Sequence, residues 1–154
     1  MSQSLSQLWV HIIFSTKKRQ PFLKDFDTQE RIYDYISATC RNLQCNVIAI
    51  GGVQDHVHLL VNLNKNIALS DLVEKIKKSS SKWIKTLNDQ NSDLNDFYWQ
   101  RGYGAFSVSQ SNLDTVKKYV LNQKAHHMKR SFQDEFRKFL IHYGITYKEE
   151  YVWD

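Results

Sequence analysis

Hydrophobic periodicity divides the chain into alternating strand-like and helix-like stretches. Residues 8–16 read as a strand, Phe26 to Leu43 as a helix, Cys45 to Val53 as a second strand and His56 to Asn62 as a third. Only Gln54 and Asp55 separate the second and third strands, the short connection that an antiparallel hairpin requires. In the next stretch Leu69, Leu72, Val73, Ile76, Trp83, Ile84 and Leu87 form an apolar stripe at helical spacing, with Ser70 as the expected N-cap. A polar loop is expected over 88–96 and a fourth strand over 102–109. A helix carrying Tyr119 follows, capped by Asn112 or Ser111, then a last helix from Phe132 to Tyr143 that stops at Gly144. Tyr147, Tyr151 and Trp153 make an aromatic tail.

The succession is βαββαβ with helices appended at the C-terminal end. It predicts an α+β, ferredoxin-like fold: a four-stranded antiparallel sheet with helices on one face, its third strand central. No repeat, low-complexity tract or linker divides the sequence, so residues 1–154 are expected to form one domain. At 154 residues and 42% hydrophobic content, the chain can bury a substantial core. It contains no apolar run of about 18 residues, and its first residues lack the basic-then-apolar layout of a signal peptide. The expected location is therefore the cytoplasm. Cys40 and Cys45 match no zinc spacing and make no disulfide scaffold, so both read as reduced packing residues.

Lys and Arg number 21 against 16 Asp and Glu, a net charge of +5 that favours a polyanionic partner. The placement of these charges is more informative. Lys75, Lys78, Lys82 and Lys85 recur at intervals of three and four, so one helix face packs while the other is cationic. Merely solvated lysines are the bland alternative to phosphate contact. Lys17, Lys18 and Arg19 after the first strand, with Lys117 and Lys118 beside Tyr119, support phosphate contact.

His56-Val57-His58 is the most specific candidate chemistry. Alternation along a strand sends both imidazoles to one face and Val57, Leu59 and Val61 to the other. Such a pair is either a two-ligand metal platform or a hydrogen-bonded structural pair. Tyr119 and Gln123, four apart on a helix, share a face one turn from each other. A helical tyrosine is ordinarily packing, but beside two histidines a phenol and an amide oxygen become candidates for the same site. His11 stays open between core packing, support of the site and DNA contact. His127, four residues after Gln123, is an alternative ligand, although helix-surface or DNA-contact roles are favoured for it and for His126. Tyr103 is a second conceivable nucleophile, but it lacks a partner at fixed spacing and reads as a turn or packing residue.

In order and spacing these motifs resemble the HUH-superfamily single-tyrosine transposases of small bacterial insertion sequences and their REP-associated relatives. The resemblance runs from Leu8 to Lys17 through the histidine triplet, Trp99 to Val108, and the stretch from Tyr119 to Gln123. It implies His56, His58 and Gln123 as ligands of a divalent Mg²⁺ or Mn²⁺ ion, and Tyr119 as a nucleophile that becomes joined to the 5′ side of single-stranded DNA. It also implies a homodimer with possible composite active sites, and recognition of hairpins near the element ends by basic side chains.

The chemistry needs such an arrangement. A phosphodiester repels nucleophiles, and a phenol with a pKa of about 10 is mostly neutral at pH 7. A divalent ion would act as a Lewis acid on the scissile phosphate. A phosphotyrosine link conserves the energy of the broken bond, so a 3′-hydroxyl can later reverse the reaction onto another strand. Lys117, Lys118 and a metal-bound water are equal candidates for the base. A rolling-circle-type nicking enzyme or relaxase would use the same residues, usually with further domains. A non-catalytic ferredoxin-like nucleic-acid-binding module would need neither metal nor tyrosine. The paired His-x-Ser/Thr motifs of two-histidine phosphoesterases are absent.

Overall fold

In the computed structural model, which describes residues 2–87 and 92–154, four strands form one antiparallel sheet. They are β1 (Trp9–Ser15), β2 (Val47–Val53), β3 (His56–Asn62) and β4 (Gly104–Val108), in the order β2-β3-β1-β4. Helix α1 (Phe26–Asn42) joins β1 to β2, and α2 (Leu69–Lys85) lies between β3 and β4. This is the ferredoxin-like order, with β3 and β1 central.

The strands are shorter than periodicity suggests because their ends are tied elsewhere. The Cys45 N–H donates back to the Cys40 carbonyl at the end of α1, 2.9 Å away. Gly102 N–H donates to the Asp154 carbonyl at 3.0 Å, so pairing with β1 begins only at Gly104. Asp25 caps α1 by accepting from Thr28 N–H at 2.9 Å. Ser70 is not the cap of α2: both Asp71 and Leu72 N–H reach the Ala68 carbonyl at 3.1 Å, so the cap position is Ala68, two residues earlier, and Ser70 lies in the first turn. Of the loop expected over 88–96, residues 88–91 lie outside the described residues, and Ser92–Asp96 forms a short 3₁₀ turn.

Alternation gives the sheet two different faces. Ile12 and Phe14 of β1, with Val57, Leu59 and Val61 of β3, pack against Ile32 and Ile36 of α1 and Leu72, Ile76 and Ile84 of α2. Each fully buried side chain of this kind contributes about 1.5–3 kcal/mol. His11, Ile13, His56, His58 and Leu60 project from the same strands to the other face. The appended helices cover that face: α3 (Leu113–Leu121), α4 (Gln123–His127) and α5 (Phe132–His142), followed by a short α6 (Glu149–Val152). Gly51 allows α3 to approach β2, because a Cβ there would collide with the Val120 carbonyl.

The helix expected to carry Tyr119 and Gln123 without interruption is broken at Asn122, whose φ of −106° and ψ of 30° are not helical. The Gln123 side-chain amide donates to the Tyr119 carbonyl at 2.9 Å, taking the acceptor that its own backbone N–H would use in a continuous helix. At its start, α3 follows a 3₁₀ turn over Gln110–Asn112, and Asn112 stands at the cap position without a side-chain bond. Ser131 caps α5 by accepting from Asp134 N–H at 3.2 Å, and Gly144 ends it with φ of 66°. Cys40 and Cys45 are free and buried.

Candidate active site

The site is assembled on the polar face, starting from β3. His56 and His58 are both 0% exposed. His56 Nδ1 donates to the carboxylate of Asp55, in the hairpin turn, at 2.6 Å, so its Nε2 presents a lone pair to the interior. His58 Nδ1 lies 2.8 Å from His11 Nε2, and its Nε2 lies 2.8 Å from Glu135 Oε1. His11 therefore supports the site from the neighbouring strand: it holds the His58 ring by a buried hydrogen bond.

Helices α4 and α5 close the cluster. His127 Nδ1 is 2.7 Å from the Arg130 carbonyl, to which it donates, while its Nε2 lies 2.9 Å from His56 Nε2, 3.0 Å from Gln123 Oε1 and 3.2 Å from Glu135 Oε2. Three acceptor atoms thus surround one nitrogen, an arrangement that calls for positive charge, as a second proton or as a cation. Ligand atoms from His56, His58, His127 and Glu135 all lie within 4.8 Å of one another. Neighbouring donors around an ion with bonds of about 2 Å are roughly 3 Å apart, so these residues fit a divalent metal.

The titration behaviour agrees with that fit. Burial lowers the His58 pKa to about 4, only partly opposed by Glu135, and keeps the imidazole in its neutral, ligand-competent form. Burial also works to lower the His127 pKa, but its bond to Glu135 and the charge there outweigh it and the net shift is upward. For Glu135 burial works to raise the pKa, yet the hydrogen bonds from His127, His58 and Tyr119 hold the carboxyl well below its usual range.

Tyr119 meets this cluster from α3, its hydroxyl donating to Glu135 Oε2. Its ring lies 5.7 Å from that of His58 and 4.5 Å from that of His126. Burial, and then the Glu135 interaction, hold the phenol well above its ordinary pKa, so it is fully protonated in this arrangement. A cavity of about 480 Å³ opens beside it, lined by Arg130, Glu135, Lys138, Phe139 and His142 among others. The cavity reaches the cluster at Tyr119 and Glu135, with Arg130 and Lys138 as its cationic side chains, while both strand histidines lie buried behind them.

Of the residues singled out from the sequence, the fold brings Tyr119, His56, His58 and Gln123 together within one chain. Lys17, Lys18 and Arg19 follow β1 at the end where Ser15 pairs with His56, and Thr16 N–H donates to the Asp55 carbonyl at 2.8 Å. Lys75, Lys78 and Lys82 are exposed on α2, across the sheet from the histidines, and Lys85 lies 4.1 Å over the Tyr98 ring. Tyr103 sits on the α2 side, its ring 5.7 Å from Lys77 Nζ.

Two participants were weighed too lightly or missed. His127 belongs to the cluster and not to the helix surface, its side chain only 9% exposed. Glu135, not singled out from the sequence, is 2% exposed. Its signal is a carboxylate within the apolar spacing of α5, three residues after Phe132 and four before Phe139.

The sequence matches the family model described as IS200-like transposases over residues 4–123. The chain belongs to the IS200-like transposase family. The match includes His56, His58, Tyr119 and Gln123, whereas His127 and Glu135 lie beyond it. Among solved structures, this transposase-family chain is similar to a Deinococcus radiodurans R1 protein assigned as a transposase, with a TM-score of 0.62 and 21% identity over 80% of this chain and 98% of that one. It is also similar to a REP-associated tyrosine transposase bound to a REP hairpin, with a TM-score of 0.57 and 15% identity over 82% of this chain and 74% of that one. At these identities the two likenesses show the fold. No curated protein matches the sequence. Among the described residues, no helix is long and apolar enough to cross a membrane.

Proposed function

We propose that this chain cuts and rejoins single-stranded DNA at hairpin-marked ends through a 5′-phosphotyrosine on Tyr119. The observation that carries the reading is the shared carboxylate: Glu135 accepts from the Tyr119 hydroxyl and from His58, placing a phenol at the edge of a cation-seeking cluster. His56, His58 and Gln123 would hold a divalent ion, Mg²⁺ or Mn²⁺, with His127 and Glu135 beside them; the imidazole-rich donor set favours Mn²⁺. When bound, the ion supplies positive charge against the phosphate oxygens.

The chain's own residues do the rest. Asp55 and His11 orient the two strand imidazoles, Glu135 aims the phenol oxygen, and Arg130 and Lys138 receive phosphate charge in the adjoining cavity. Tyr119 Oη gives its proton to Glu135, the carboxylate it already hydrogen-bonds, and bonds to phosphorus; the bond from phosphorus to the 3′ oxygen breaks, and that oxygen takes up the proton to leave a 3′-hydroxyl. A 3′-hydroxyl of another strand reverses the step and frees Tyr119. Lys17, Lys18, Arg19, Lys75, Lys78, Lys82 and Lys85 hold the DNA backbone in this reading. The hairpin seen with the REP-associated neighbour is the model for the DNA partner. Two copies act together, as a homodimer in the cytoplasm.

The test is incubation with Mn²⁺ or Mg²⁺ and single-stranded DNA carrying the hairpins that flank the coding region. Wild-type protein should form an SDS-resistant adduct, and Tyr119→Phe should form none while binding the hairpin with unchanged affinity. An undiminished adduct in Tyr119→Phe would remove the nucleophile from this account.

A further inference from the structure

We propose that the rim of the sheet beside the active site is a track for unpaired DNA, with Tyr98 and Trp153 as base-stacking stations and the Lys17–Arg19 turn joining them. The proposal rests on the single-stranded DNA reading above and gives it a path across the surface.

The track is built from cations alternating with rings. Lys85 Nζ lies 4.1 Å and Lys17 Nζ 5.8 Å from the centre of the Tyr98 ring, which is 54% exposed although its neighbours Phe97 and Trp99 are buried. The backbone fixes its position: Lys17 N–H donates to the Tyr98 carbonyl at 2.8 Å, and Thr16 bridges to Trp99. At the other end of the turn, the Arg19 guanidinium lies 5.8 Å and that of Arg137 4.9 Å from the Trp153 ring. Glu149 secures this second station, accepting from Arg137 Nε at 2.7 Å and from Trp153 Nε1 at 3.0 Å.

The turn between the stations is strained in a way that suits this use. Lys18 and Arg19 have φ of 55° and 56°, a left-handed conformation that side chains disfavour. Thr16 holds it, its hydroxyl donating to the Gln20 carbonyl at 2.6 Å and its carbonyl accepting from Arg19 N–H at 3.0 Å. Consecutive strained residues persist where the surroundings over-determine them, commonly at ligand sites. Here the turn leaves Lys17 and Lys18 exposed and sets Arg19, half-buried, over the Trp153 ring.

The second station is packed against the wall of the site through buried rings. The Trp153 ring is 6.4 Å from that of Phe132, which is 4.7 Å from the ring of His56. Rings able to stack any base, flanked by cations that can shift from ring to phosphate, are the means by which proteins bind single strands without reading sequence. Exposed cation–π contacts are weaker than base–aromatic stacking, so an incoming base displaces the cations toward its own phosphates. A duplex keeps its bases stacked internally and gains only the phosphate contacts.

The full chain is tested by fluorescence anisotropy with a labelled oligothymidylate and, separately, a blunt duplex. Tyr98→Leu should weaken oligothymidylate binding about tenfold, with Tyr98→Phe close to wild type and duplex binding unchanged. Trp153→Leu should act likewise; where it lowers the melting temperature, the Tyr98 pair decides. Oligonucleotides with 5-iodouracil should photo-crosslink to Tyr98 or Trp153. Wild-type affinity in both leucine variants, or crosslinks that map only elsewhere, would overturn the track. If the leucine variants bind normally while wild type still forms a Tyr119 adduct, the track fails and the proposed function stands. If the leucine variants lose binding while wild type never forms an adduct, the track stands and the function fails.

Discussion

The two faces of the sheet are made by the same strands and are chemically opposite. Toward α1 and α2, the alternate residues of β1 and β3 are Ile12, Phe14, Val57, Leu59 and Val61, a dry apolar core. Toward α3, α4 and α5, the intervening residues include His11, His56 and His58, buried together with Gln123 and Glu135. Burying polar groups is costly unless each finds a partner, and these do, in a network that runs from Asp55 through the imidazoles to Glu135 and Tyr119. One face holds the strands in place, so the other can keep a cluster whose favoured occupant is a positive charge.

Neighbouring residues on β3 should therefore fail in different ways. His58→Ala removes a proposed ligand and the partner of His11 and Glu135; it should lower metal-dependent adduct formation by at least about a thousandfold. A folded His58→Ala protein with full activity would dissolve the distinction between the faces. Leu59→Ala, one residue on and facing α1 and α2, should cost about 2–5 kcal/mol in urea denaturation, with adduct yield per folded molecule unchanged. Asp55→Asn keeps the size of the side chain but weakens the bond that orients His56. Calorimetric titration with Mn²⁺ should show affinity reduced by about 10- to 100-fold.

The smallest effect concerns pH. In chelator-treated protein His58 titrates at about 4, against about 6.5 for an unfolded histidine. As pH falls below 6.5 the unfolded chain takes up the proton first, so stability conferred by neutral His58 is present above that value and is lost toward pH 4. His127 acts in the other sense: its raised pKa contributes stability present at low pH and lost as pH rises through its folded value. A melting-temperature profile between pH 7 and about 4.5 should accordingly be flatter in His58→Gln than in wild type. Equal profiles would show that His58 does not carry the difference.

What was legible in the sequence was local or followed from element order. Alternation alone puts His56 and His58 on one face, and βαββαβ succession leads to the observed strand order. The break at Asn122 was hidden because a side-chain amide and a backbone N–H compete for one carbonyl without disturbing the spacing of Tyr119 and Gln123. Glu135 was hidden for a different reason: its partners His58, Tyr119 and His127 come from three other elements, so only the packing of α5 across the sheet reveals why a carboxylate stands among phenylalanines. The Ser70 cap failed because two backbone bonds to Ala68 started α2 first.

The most direct test of the central claim is to locate the covalent link. Adduct formed with Mn²⁺ and hairpin-bearing single-stranded DNA would be digested with nuclease and trypsin, and the peptides sequenced by mass spectrometry. The phosphonucleotide should sit on Tyr119, in the peptide of residues 119–124. A link on Tyr103 or another side chain, or an adduct that forms equally well in a chelator, would contradict the account.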